Sequence, residues 1–158
     1  DIGCYSRPVT GNNILIGSED PECDDRIFVD PDNWDTNFTE QWKTQVLRQA
    51  QRYPNLPISS NVKGVVSLYD VSDDWIPIYD KSDLPGFYMA IGSSGNQYKN
   101  APVAGVMMAD LIEACEGGHN HDKEPLGVNL KYINREINLG FYSRNRVINS
   151  ESSMSVLG

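Results

Sequence analysis

The sequence predicts a mixed fold, α+β in its first half with an α/β-type strand–loop–helix unit after it, and three observations carry that reading. Residues 1–18 alternate as a hairpin with its turn at Thr10 to Asn13. Residues 37–53 repeat at helical spacing. From Leu84 to Glu113 a short apolar strand, a glycine-marked polar loop and an amphipathic helix follow in direct succession.

In the helix at 37–53, Asn37 and Glu40 stand at capping-box spacing. Phe38, Trp42, Val46, Leu47, Ala50 and Tyr53 form an apolar face that ends at Pro54. The same Asn37-Phe38-Thr39 fits a glycosylation sequon, and the helix start explains it better. Pro54 to Ser60 is linker-like. Residues 61–80 read as two strands around a Ser72-Asp73-Asp74 turn, in which Trp75 is expected to be core.

Phe87 to Ile91 is a continuous apolar run, the pattern of a strand covered on both faces, and Gly92 ends it. Gly92 and Gly95 permit positive φ and a close approach of backbone to a ligand. Pro102 suits the first turn of a helix over 102–116, whose inward face is predicted to hold Val103, Val106, Met107, Asp110, Leu111 and Ala114. The N-terminus of such a helix favours an anion or an electron-rich oxygen above Gly92, although the same join also serves as a plain packing unit. After Gly117-Gly118 the chain is expected to run as an extended tail over 117–158, wrapping the surface.

Thirteen Lys and Arg stand against 22 Asp and Glu, and the net charge of −9 argues against a nucleic-acid or anionic-membrane surface. The acidic loops Glu19 to Asp25 and Asp70 to Asp74 read as solvated surface. No apolar run reaches the length of a membrane span. Cys4, Cys23 and Cys115 are odd in number and widely spaced, which indicates neither a disulfide framework nor zinc and makes a reducing cytoplasm the default compartment. His119 and His121 form an H-x-H pair without a third ligand at useful spacing. A flexible loop is expected there, and no metal.

The loop Gly92, Ser94, Gly95, Lys99 resembles the "G-x-S-G-x-x-x-K" element that follows the last FAD-domain strand of FAD-dependent oxidoreductases of the D-amino acid oxidase and sarcosine oxidase (DAO) family. Tyr5 to Gly17 is similar to that family's strand and hairpin at the start of the substrate-domain return. Gly64 to Ile78 is similar to its following pair of strands. The resemblance implies the C-terminal portion of a two-domain, Rossmann-like FAD oxidoreductase. Residues 1–82 would end the substrate-binding domain, 83–116 would be the last strand–loop–helix of the FAD domain, and 117–158 the tail.

It also implies chemistry: oxidation of the C–N bond of a small amine or amino acid, of sarcosine, glycine or D-amino acid type, by hydride transfer to FAD. Gly92, Ser93, Ser94, Gly95, Asn96, Gln97, Tyr98 and Lys99 would face the cofactor. Lys99 would be the catalytic-site cation that meets the substrate carboxylate, with Tyr69 and Arg7 as further substrate contacts.

Three departures shape the expectation. Ser67 stands where monomeric sarcosine oxidases carry the flavin-linking cysteine, so FAD would be held noncovalently. Val66 replaces a carboxylate-binding arginine, and Asn96-Gln97 replaces the usual His-Gly. No G-x-G-x-x-G occurs, so the pyrophosphate site is expected on a separate N-terminal half, with the isolated chain inactive. The alternatives are a stand-alone module that completes a flavin site in trans, or an inactive truncation. Sheet edges left open by the absent half predict self-association.

Overall fold

The computed structural model describes residues 4–18, 26–58, 60 and 62–154; the acidic stretch Glu19 to Asp25, with Cys23, lies outside them. The chain divides into two compact units, Asp1–Leu68 and Tyr69–Gly158.

In the first unit, β1 (Cys4–Val9) and β2 (Asn13–Ser18) pair antiparallel, with Arg7 opposite Leu15. Gly11 (φ +78°) and Asn12 (φ +55°) both take the left-handed conformation that a short reversal requires. α1 (Glu40–Ala50) lies against this hairpin. It buries Val46 and Ala50, with Gln45 and Gln49 beside them. Ser6 is the anchor: its hydroxyl accepts from the Gln49 amide at 3.1 Å and shares a hydrogen bond with the Tyr53 hydroxyl. Phe38 stacks on Trp42 at 4.2 Å between ring centroids.

The helix is shorter than 37–53, and the cap is Thr39 rather than Asn37. The Thr39 hydroxyl accepts the Trp42 N–H at 3.1 Å, Glu40 pairs with Lys43, and Asn37 instead donates to Asp35. Thr39 satisfies an orphan amide of the first turn from directly before Glu40, which leaves Asn37 outside the helix.

The second unit begins with residues 69–77, which hold no strand. The expected pair over 61–80 reduces to β3 (Ile78–Lys81), which pairs antiparallel with β4 (Tyr88–Ile91). A 3-10 turn at Gln97–Asn100 leads into α2 (Ala101–Glu116). β5 (Gly127–Leu130) and β6 (Arg135–Asn138) then form a hairpin, followed by a second 3-10 turn at Leu139–Tyr142.

Tyr79, Met107, Leu111, Val128 and Leu139 make the core. Two expectations fail here. The segment 117–158 is no extended tail, because Val128 and Leu139 are as deeply buried as Leu111. Nor is the strand at 86–92 covered on both faces: as half of an antiparallel hairpin it packs one face and exposes the other, leaving Ile91 49% and Phe87 55% accessible. The inward face of α2 is Ala104, Met107, Met108, Leu111 and Cys115, while Val103 and Val106 point outward. No helix among the described residues is long and apolar enough to cross a membrane.

In the acidic stretch Asp70 to Asp74, Asp70 and Asp73 are exposed as expected, and Asp74 is not. Asp74 is fully buried: Arg146 donates to it through Nε (3.0 Å) and Nη2 (2.6 Å), and the N–H groups of Ile76 and Asn149 also donate. The Arg146 hydrogen bonds, helped by the backbone donors, outweigh burial and hold the Asp74 carboxyl far below the usual range. Asp80, equally buried, accepts from the Ser143 hydroxyl, the Arg144 N–H and the Arg144 guanidinium at 2.9, 2.8 and 3.2 Å. Arg144 also reaches Asp83 and Asp122. Together these contacts clasp residues 143–149 onto 72–83.

His121 belongs to this clasp, which overturns the flexible-loop expectation for the H-x-H pair. It is fully buried, its Nδ1 accepts the Leu126 N–H at 3.1 Å, and Nε2 lies 3.7 Å from Asp80. Nδ1 being an acceptor, the neutral ring carries its proton on Nε2.

Candidate functional site

The loop after β4 is built by three left-handed residues, Gly92 (φ +65°), Ser94 (φ +50°) and Gly95 (φ +81°). Only Ser94 has a Cβ, and its conformation is fixed by burial and by its hydroxyl donating to the Gly92 carbonyl at 3.1 Å. Asp70 holds the loop from outside. Its carboxylate accepts the Ser93 N–H at 3.0 Å and the Ser93 hydroxyl, and its carbonyl accepts the Ser94 N–H at 2.9 Å. Burial would raise the Asp70 carboxyl, but the Ser93 hydrogen bonds outweigh it and the net shift is downward. Sequence reasoning missed Asp70. The one available signal was its place directly after Tyr69, a residue already singled out.

Beyond Gly95 the chain turns outward. Gln97 is woven in: its amide donates to the Asn96 side chain, and its carbonyl oxygen accepts from Asn100 and from the buried Tyr79 hydroxyl at 2.9 and 3.3 Å. Tyr98 and Lys99, by contrast, project into solvent, Tyr98 97% exposed. Among the described residues the Lys99 side chain makes no hydrogen bond or ion pair. α2 begins immediately after, with Pro102 in its first turn and no side-chain cap on Asn100. An unpaired ammonium and a helix N-terminus thus share one end of the unit, a combination suited to an anion or an electron-rich edge.

Between β4 and α2 lies a groove of about 310 Å³, walled by Ala90, Ile91, Ala101, Ala104, Gly105 and Met108, with Ser93 and Gln97 on its rim. Of the segment Gly92 to Lys99 the structure thus brings Ser93 and Gln97 to this groove, leaves Tyr98 and Lys99 exposed outside its lining, and ties the loop to Asp70, the neighbour of Tyr69. Arg7 lies in the other unit, exposed on β1. Among the described residues no cluster of three or more His, Cys, Asp or Glu is placed to hold a metal.

No curated protein and no solved structure matches the chain. Residues 1–111, from the first hairpin through this loop and into α2, match the family model DAO, FAD dependent oxidoreductase, and the chain belongs to that family.

Proposed function

We propose that this chain is the C-terminal part of an FAD-dependent oxidoreductase that oxidises the C–N bond of a small amine or amino acid. The match to the family over residues 1–111 carries the reading, and the loop supports it. Bound FAD would supply the hydride acceptor, the chemistry that amino-acid side chains lack.

The groups present fit such a cofactor at its electron-rich edge. The backbone from Gly95 to Lys99 and the helix start offer N–H groups and partial positive charge, and the glycines leave the approach open. Ser93 and Ser94 hold the loop's shape, their donors being taken by Asp70 and Gly92. Lys99 would be the group for the substrate carboxylate: an exposed ammonium without a hydrogen bond or ion pair among the described residues, able to turn toward an anion without breaking an existing bond. Tyr69 would line the approach, and Arg7 would be a further contact for the carboxylate.

With Ser67 at the position of the family's flavin-linking cysteine, attachment would be noncovalent. With no G-x-G-x-x-G in these 158 residues, the pyrophosphate would sit on a partner half, in the cytoplasm. The test is the visible spectrum of the chain with added FAD, alone and co-expressed with a G-x-G-x-x-G-bearing half. Flavin bands that appear only with the partner, persist on gel filtration and leave on acid precipitation are expected. Absence of flavin in every combination would end the functional claim.

A further inference from the structure

Both ends of the β5–β6 hairpin are pinned to one buried pair of side chains. At the front, the Leu126 N–H donates to His121 Nδ1 at 3.1 Å, and the Leu126 carbonyl accepts the Leu139 N–H at 2.8 Å, which closes the base of the hairpin. At the back, the Ser143 hydroxyl and the Arg144 N–H donate to Asp80. His121 Nε2 and Asp80 Oδ1 lie 3.7 Å apart, both side chains fully buried. Among the described residues Nε2 is the buried side-chain polar atom left without a hydrogen-bond partner.

This pair is not arranged to hold a second proton on the ring. Asp80 Oδ1 already accepts the Lys81 N–H at 2.7 Å, and Oδ2 accepts Ser143 and Arg144. The other charged and titratable groups near the ring are engaged as well. Lys81 of β3 pairs with Asp122, and Arg144 pairs with Asp83 and Asp122. The Cys115 sulfur of α2 accepts the His121 N–H, and His119 is bonded to the Glu124 carbonyl. The hairpin meets the ring through Leu126, which does not titrate.

An imidazolium has no acceptor, so a proton on Nδ1 would set donor against donor at Leu126. Burial lowers the His121 pKa despite the nearby carboxylates of Asp80 and Asp122. The closed site therefore refuses a proton that an opened one takes up near pH 6.5, and opening is favoured as pH falls below that value.

The chain on either side is suited to such an opening. Gly117-Gly118 precedes the front pin, with Gly118 at φ +94° and nothing within 4 Å of a Cβ built on it. Behind the back pin, Arg146 stays bound to Asp74, whose carboxyl titrates far below this range. Between the pins the covered surface is apolar: Val128 and Leu139 pack with Tyr79, Met107 and Leu111.

We propose that the His121–Asp80 pair is an acid-released catch: when His121 gains its second proton it lets Leu126 go, and residues 119–142 lift as a flap from Tyr79, Met107 and Leu111 while β3, β4 and α2 stay folded.

The test is amide hydrogen exchange on the 158-residue chain at pH 7, 6 and 5, with each rate corrected for the intrinsic pH dependence of exchange. Protection at the Leu126 and Leu139 amides should fall about tenfold or more from pH 7 to pH 5, with that at Leu111 in α2 and Val46 in the other unit unchanged. His121→Asn, whose side-chain oxygen reaches the place of Nδ1, and His121→Gln do not titrate. Whatever their protection at pH 7, it should be the same at pH 5.

No fall in the wild type overturns the proposal, as does a fall that persists in both variants. A loss at Leu111 in step with Leu126 overturns it too, because the whole unit is then unfolding. No flavin enters the measurement, and the hairpin lies outside residues 1–111, so failure here leaves the flavin reading standing.

Discussion

The clasp around Asp74 and Asp80 and the loop from Gly92 to Lys99 sit in the same unit and treat charge in opposite ways. In the clasp, both carboxylates are buried and saturated by Arg144, Arg146, Ser143 and backbone N–H groups. In the loop, Asp70 saturates Ser93 and Ser94, while Lys99, five residues after Ser94, keeps its charge unpaired in solvent. A saturated polar network fixes structure and has no valence left for a ligand. An unpaired cation beside a rigidly held turn is the arrangement a ligand can complete.

Breaking the clasp should give the largest effect. Arg146→Met leaves Asp74 buried and unpaired and should cost about 3–5 kcal/mol, read as a fall in the urea midpoint. A loss near zero would show that solvent reaches Asp74. Leu139→Ala should cost about 2–5 kcal/mol by opening a cavity in the core; a surface-sized effect would return residues 117–158 to the role of a tail.

pH tests the clasp from a second side. Arg144 and Lys81 hold the Asp122 carboxyl at about 2, below its unfolded value near 3.9. Its contribution is therefore complete above about pH 4 and is lost as pH falls toward 2. His121 acts at higher pH in the same direction. Burial lowers its pKa despite Asp80 and Asp122, so the unfolded chain takes up the proton first, and stability falls as pH drops below about 6.5. Urea midpoints at pH 7, 5 and 3 should decline in sequence, and His121→Gln should flatten the first step. An unchanged first step in that variant would place the titration elsewhere.

A smaller effect belongs to the loop's own anchor. Asp70→Asn weakens two hydrogen bonds at an exposed site and should cost about 1 kcal/mol or less, while hydrogen exchange at the Ser93 and Ser94 amides speeds up. Equal acceleration throughout the unit would make Asp70 part of the clasp.

How much of this was legible follows from which signals are local. The hairpin turn at Gly11-Asn12 and the helices carry their signals within a few residues, and all are present in the structure. The inward face of α2 was misjudged because the helix is apolar around most of its circumference, so spacing alone cannot choose between Val106 and Met108. The strands expected over 61–80 failed because Ser72 and Asp74 accept or donate locally and hold the backbone in turns instead of a ladder. Nothing near Asp74 or His121 in sequence announces Arg146 or Asp80, which are 72 residues apart from Asp74 in one case and paired only by the fold in the other. For the loop, glycine spacing located the turn, and Asp70 as its anchor had no local signature.

The most direct measurement is the affinity of acetate, a minimal carboxylate, for a flavin-loaded assembly of this chain with the proposed G-x-G-x-x-G-bearing half, followed as a shift of the flavin bands in the wild type and in Lys99→Met. The loop reading predicts an affinity about tenfold or more weaker in Lys99→Met, with the melting temperature unchanged. Equal affinity in the two proteins would contradict it.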